Sequence, residues 1–203
     1  MRSMISCILL SAGLSSRFGS AKALAKISDE HTVIEALQTQ LTASKISEIL
    51  VVLGAHAEAV KPHIFKHMKI KVVYNKDYIL GQTSSFKAGL AQISPQSSGV
   101  VILPVDFAFI KTHTFDYLIE CFYKENNSSI LIPTFQNRKG HPPLFRTNIT
   151  EEFFGLDDNL GINEVFHRHT ENTKLLPVDD PGVVSSFNTR EEFENLKKQF
   201  GYC

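Results

Sequence analysis

Short apolar runs alternate along the chain with longer amphipathic stretches. The runs fall at residues 5–10, 48–53, 70–74, 100–103 and 129–133. Apolar runs of this length, bounded by polar and turn-forming residues, are strands buried on both faces. Between them, residues 32–43 place Val33, Ala36, Leu37 and Leu41 on one helical face, and residues 112–123 do the same with Phe115, Leu118, Ile119 and Phe122. Residues 57–68 and 83–92 fill two further gaps as helices, which puts His63 and His67 one turn apart on a solvated face. Strands alternating with helices predict an α/β fold whose mostly parallel sheet is flanked by crossover helices.

The pattern loosens beyond Pro133. Pro142, Pro143 and Pro181 interrupt it, residues 157–163 read as a turn and helix start, and 174–178 and 183–187 read as short strands. The last helix, 189–200, opens on a capping box, Thr189 with Glu192 three positions on, and buries Phe193, Leu196 and Phe200. With no repeat and no linker-like tract, residues 1–203 are expected to form a single domain.

Composition narrows the class. The 203 residues are 43% hydrophobic and carry 21 basic against 21 acidic side chains, a formal net charge of +0. Such a chain builds its own core, and its neutrality argues against a surface made for nucleic acid or anionic membrane. No apolar stretch reaches the ~18 residues of a membrane span. Arg2 and the apolar residues after it mimic a short leader, but Gly13, Arg17 and Lys22 follow with no cleavage signal, so a first strand is expected. Cys7, Cys121 and Cys203 form no motif and suit a reducing, cytoplasmic setting as inert thiols.

The chemistry concentrates in the segment after the first strand, Leu10-Ser11-Ala12-Gly13-Leu14-Ser15-Ser16-Arg17-Phe18-Gly19-Ser20-Ala21-Lys22. Turns at the carboxyl ends of parallel strands are where open α/β sheets bind ligands. Gly13 and Gly19 let backbone N–H groups approach an anion, Ser15 and Ser16 add donors, and Arg17 and Lys22 bring fixed positive charge. The set suits a polyphosphate, yet it matches neither the P-loop nor the G-x-G-x-x-G pattern. Asp106, just past the strand at 100–103, stands where a carboxylate holding a divalent cation belongs.

The loop resembles the L-A-A-G-x-S-x-R-M-G-x-x-K signature of the MobA-like NTP transferase family, the nucleotidyltransferases related to molybdenum cofactor cytidylyl- and guanylyltransferases. Ser11 replaces an Ala and Phe18 a Met, while Gly13, Ser15, Arg17, Gly19 and Lys22 match. Asn75, Gly81, Ser84, Ser85 and Gly89 are similar to the family segment that closes around base and ribose. Pro104-Val105-Asp106 is similar to its metal-holding P-x-D step, and residues 140–145 to its G-H-P-x-L-F segment. The resemblance implies a Rossmann-like nucleotidyltransferase fold in which Leu10, Ser11, Ala12, Gly13, Ser15, Arg17, Lys22, Ser84 and Ser85 hold the nucleotide. Arg17, Lys22 and Asp106 would carry catalysis, Asp106 and Asn188 would hold Mg²⁺, and His141 would lie on the acceptor side or brace its loop. It implies transfer of CMP from CTP, favoured over GTP by Ala12, to a small phosphorylated acceptor of molybdopterin type, with pyrophosphate released and a molybdoenzyme as client. Ser186 and Asn188 stand where the family places two aspartates. That loss of charge leaves two other readings open: a non-catalytic nucleotide- or cofactor-binding accessory protein, and a transferase for a sugar or alcohol phosphate. Asp179 and Asp180 lie nearby in sequence but are not expected to reach the metal.

Overall fold

The computed structural model describes residues 4–125 and 127–202, so Arg2 and Cys203 lie outside the described residues. The chain runs β1 (Met4–Ser11), α1 (Val33–Ala43), β2 (Glu48–Leu53), α2 (Ala57–Val60), β3 (Ile70–Tyr74), α3 (Gln82–Leu90), β4 (Ser97–Pro104) and α4 (Thr112–Lys124). It continues through β5 (Ile130–Phe135), β6 (Arg138–Lys139), β7 (Leu144–Arg146), α5 (Thr150–Phe154), α6 (Asn163–Arg168), β8 (Thr173–Pro177) and α7 (Arg190–Gln199). The strands form one sheet in the order β3-β2-β1-β4-β7-β5-β6, with β8 paired to β5. Strands β1 to β4 and the β5–β8 pair are parallel, whereas β7 and β6 run antiparallel to their neighbours.

Two apolar layers cover the sheet because the strand residues alternate between its faces. Cys7, Leu9, Val51 and Leu103 pack on one side with Leu37 of α1, Leu118 of α4 and Phe193 of α7. Ile8, Leu10, Val52 and Ile102 pack on the other with Phe86 of α3, Phe153 of α5 and Val165 of α6. Burial pushes the Cys7 thiol far up, so it is an inert core residue.

Three expectations give way to the structure. Residues 57–68 form no continuous helix: α2 ends after one turn and a 3₁₀ turn covers Lys61–His63. Pro62 removes a backbone donor and blocks a regular helix, so His63 and His67 do not share a helical face. His63 instead bonds Glu35 through Nδ1 at 2.9 Å, and Glu35 is held down to about 2: burial opposes this, but bonds from Thr32 and His63 outweigh it. Residues 183–187 are not a strand, because Pro181 follows Asp180, whose carboxylate caps the Gly182 N–H at 3.0 Å and winds Pro181–Val184 into a 3₁₀ turn. Strands β6 and β7 lie where only proline-broken chain was expected. Among the described residues, no helix is long and apolar enough to cross a membrane.

Candidate active site

The sheet order 3-2-1-4 reverses direction of growth between β1 and β4. In an open parallel sheet such a switch point leaves a crevice at the carboxyl ends of the two strands. Leu10 and Pro104 are register partners there, and the Val105 N–H donates to the Leu10 carbonyl at 3.0 Å. The loop after β1 and the turn after β4 therefore face one another across the crevice. A cleft of about 410 Å³ opens between them, lined by Leu10, Ser11, Ala12, Gly13, Ser15, Arg17, Lys22, Ser85, Asp106 and Asn188 among others.

The loop is pinned at both ends. Ser15 adopts φ 53°, and its carbonyl accepts from the N–H groups of Phe18 and Gly19 at 2.9 and 3.1 Å. Gly19 then takes φ +79°, the left-handed region where a side chain would be strained. Phe18, only 3% exposed, anchors the loop, its ring centroid 5.7 Å from Phe187 and 6.0 Å from Phe193. These contacts tie the loop to the core, and Gly13 borders open space, where a Cβ would meet nothing within 4 Å. At the far wall, Gly54 lets β2 close on the loop: a Cβ there would lie 2.6 Å from the Ala12 carbonyl and 2.7 Å from Tyr78 Cβ.

Charge converges at the mouth. Lys22 Nζ donates to Asp106 Oδ2 at 3.1 Å, to Asn188 Oδ1 at 3.0 Å and to the Phe187 carbonyl at 2.7 Å. Arg17 Nη2 also donates to Asn188 Oδ1, at 3.0 Å. Two cationic donors on one atom require the amide oxygen there. Asn188 is held in place by the last helix: its N–H and that of Thr189 donate to Glu192 at 2.5 and 3.1 Å, and these bonds hold the Glu192 carboxyl below its usual range. The capping box legible in the sequence thus also aims Asn188 at the loop.

Asp106 Oδ1 is buried without a hydrogen-bond partner. A buried carboxylate oxygen normally has one, so this atom fits a cation ligand. Among the described residues no three His, Cys, Asp or Glu side chains cluster as a metal site. A divalent ion here would have Asp106, the Asn188 carbonyl oxygen and substrate phosphates.

The other candidates divide between the cleft and the chain around it. Ser85 lines the cleft, whereas the Ser84 hydroxyl bonds the carbonyls of Asp77 and Gly81 at 2.9 and 3.0 Å and receives Asn75 Nδ2 at 3.0 Å. Ser84 shapes the segment from beneath. His141 is not among the cleft-lining residues; its ring stacks on Phe107 at 4.1 Å and its backbone N–H donates to the Val183 carbonyl at 2.7 Å. Burial lowers its pKa from 6.5 to about 4, with the Asp106 charge opposing, so it is neutral near pH 7. Asp180 is fully buried and engaged with the Lys111 N–H, Thr114 and Gly182 at 2.9, 2.6 and 3.0 Å, which leaves it structural. Periodicity does not single out His56, Tyr78, Ile79 and Gln82, which line the cleft beside the loop. His56 Nε2–H donates to the Leu14 carbonyl at 3.0 Å. Its position just past β2, a second parallel strand end, is the signal that points to it.

Comparison with known proteins accords with this geometry. Residues 7–173 match the MobA-like NTP transferase domain. The chain belongs to that family. A probable molybdenum cofactor guanylyltransferase of Thermococcus sibiricus (strain DSM 12597 / MM 739) is 27% identical over 130 residues, 64% of this chain; the match spans 62% of that relative's length. The crystal structure of Rv0371c from Mycobacterium tuberculosis H37Rv shares the fold with a TM-score of 0.83, 22% identity and coverage of 98% of this chain and 100% of that one. The same mycobacterial protein in complex with manganese gives 0.77, 21%, 96% and 98%. A nucleotidyl transferase from Methanothermobacter thermautotroptrophicus gives 0.81, 19%, 97% and 97%.

Proposed function

We propose that this family member is a nucleotidyltransferase that moves CMP from CTP to a phosphorylated acceptor of molybdopterin type. The observation that carries the proposal is the meeting of Arg17 and Lys22 from the β1 loop with Asp106 from β4 and Asn188 ahead of α7. Loop, cations and carboxylate converge at the switch point, the place and the charge pattern that a nucleoside triphosphate requires.

An oxygen of the acceptor phosphate attacks the α-phosphorus in line, a P–O bond to it forms, and the bond to the bridging oxygen breaks as pyrophosphate leaves. Such chemistry asks the protein for positioning and charge compensation. In this reading Arg17 grips the β- and γ-phosphates, and Lys22 offsets charge building on the α-phosphoryl oxygens. Phe18 and Gly54 hold the loop at the distance this needs. Mg²⁺, held by Asp106 and the Asn188 carbonyl oxygen, would supply further charge neutralisation. The manganese complex of the mycobacterial neighbour supports a divalent cation in this fold.

Ala12 supports the choice of base. Its side chain is 2% exposed, packs beside Gly54 and takes up a methyl's width of the cleft wall that a Gly would leave free. The base named for the Thermococcus relative is guanine, so the choice calls for a direct test. Melting temperatures would be measured with CTP, GTP, ATP and UTP, each with and without Mg²⁺. Selective stabilisation by CTP is expected; selectivity for GTP would overturn the base, and no shift with any nucleotide would overturn the function. The proposal takes residues 1–203 as one domain. Free Cys7 and Cys121 support a cytoplasmic setting, where a molybdoenzyme would be the client.

A further inference from the structure

Lys22 does not extend into the open cleft. Its side chain is only 12% exposed, and its ammonium sits among three oxygens: Asp106 Oδ2 at 3.1 Å, Asn188 Oδ1 at 3.0 Å and the Phe187 carbonyl at 2.7 Å. An ammonium has three N–H donors, so all of them are used. The Phe187 ring adds a fourth favourable contact, 5.5 Å from Nζ to its centroid. One carboxylate and two carbonyl-type oxygens, drawn from two segments of chain about 80 residues apart, make the kind of hard oxygen set that binds a cation. The cation at its centre is the protein's own.

The local charge count follows. Arg17 and Lys22 bring two positive charges to Asn188 and Asp106, and within this oxygen set the negative charge is that of Asp106. The nearby Glu192 carboxylate accepts from the backbone N–H groups of Asn188 and Thr189 and also feels both cations, so two carboxylates balance them while only Asp106 belongs to the oxygen set. A carboxylate at position 188 would put a second negative charge into the oxygen set itself, but Asn188 is neutral. A divalent ion approaching this set finds the Asp106 charge already matched by Lys22 and must displace a fully bonded ammonium. A triphosphate reverses both conditions, since its oxygens can draw Arg17 and Lys22 away and add negative charge of their own.

We propose that Lys22 is a built-in stand-in for the divalent cation, so that metal enters this site only together with the triphosphate. The inference rests on the cleft being a triphosphate site, and it adds an order to the binding events. Metal and nucleotide are then positively coupled, and by linkage each raises the other's affinity by the same factor. Asn188 is the specificity-determining residue for this behaviour, because it keeps the oxygen set weak enough for an ammonium to hold.

The test is a titration of the nucleotide-free protein with Mn²⁺, read as loss of the free-ion electron paramagnetic resonance signal. The wild type is expected to take up Mn²⁺ at least about tenfold more weakly than Lys22→Met, given the repulsion between an ammonium and a divalent ion at ~4 Å. Asn188→Asp, which keeps Lys22, is expected to tighten Mn²⁺ binding as well. The double variant Lys22→Met with Asp106→Asn should lose what Lys22→Met gained. A melting temperature that rises with Mn²⁺ for Lys22→Met and not for the wild type would show the same exclusion of the metal by Lys22 in the folded protein. Equal Mn²⁺ affinity of the wild type and Lys22→Met overturns the inference. The readout involves neither nucleotide nor turnover, so its failure is separate from failure of the proposed transferase, which appears in nucleotide titrations.

Discussion

Phe18 makes the most specific claim about how the loop works, because it ties phosphate binding to the hydrophobic core. The side chain is 3% exposed, and its ring meets Phe187 and Phe193 at 5.7 and 6.0 Å, with the Arg190 guanidinium 5.2 Å from its centroid. Truncating a buried phenylalanine costs about 3–5 kcal/mol. In a domain of this size each kcal/mol lowers the melting temperature by ~2–4 °C, so Phe18→Ala should melt ~6–20 °C lower. The same change frees the segment carrying Gly13 to Arg17. If binding nucleotide must then re-order even one residue, at ~1–2 kcal/mol, affinity falls about 5–30-fold. Phe153→Ala is the control: its ring is fully buried on the opposite face of the sheet, 5.1 Å from Phe86 and 4.8 Å from Phe145. Calorimetric nucleotide binding would be measured well below both melting points. A Phe18→Ala protein that melts as low as Phe153→Ala yet binds nucleotide as tightly as the wild type would refute the anchoring argument.

Three further outcomes are expected. Gly54→Ala should cost about 1–3 kcal/mol and weaken nucleotide binding, since its Cβ would meet the Ala12 carbonyl at 2.6 Å, whereas Gly155→Ala, with its nearest neighbour at 3.6 Å, should do neither. His141 is held neutral, its pKa lowered from 6.5 to about 4, so the unfolded chain binds the extra proton first. Its share of stability is complete above pH ~6.5 and drains away as pH falls toward ~4, at most about 3 kcal/mol; urea unfolding at several pH values should show this slope in the wild type and its loss in His141→Gln. Asn188→Asp should raise activity at limiting Mg²⁺, and an unchanged Mg²⁺ dependence would remove Asn188 from the metal site.

The parallel core was legible because its strands are apolar on both faces: residues 5–10 and 48–53 could be placed nowhere but inside. The loop was legible as part of a cleft because it follows the carboxyl end of a parallel strand, where open sheets leave a crevice. Periodicity failed where a single residue overrides it. Pro62 stops a helix that the surrounding residues would continue, and the Asp180 cap winds Val183 and Val184 out of the extended form that valines favour. The roles of Phe18 and Glu192 were hidden for another reason. Each acts across the fold, Phe18 through rings about 170 residues away and Glu192 by fixing Asn188 beside Arg17. Nothing local in either segment announces that contact. His141 shows the same limit: its motif is chemical, while its ring packs behind the Asp106 turn.

The central claim is transfer at the β1/β4 crevice with Asp106 as its carboxylate. It is tested most directly by pyrophosphate release from CTP with Mg²⁺ and a molybdopterin acceptor, comparing the wild type with Asp106→Asn at matched folded fraction. Acceptor-dependent release by the wild type and a loss of about 10²-fold or more in the variant are expected. Undiminished release by Asp106→Asn, or none from the wild type with any of the four nucleotides, would contradict it.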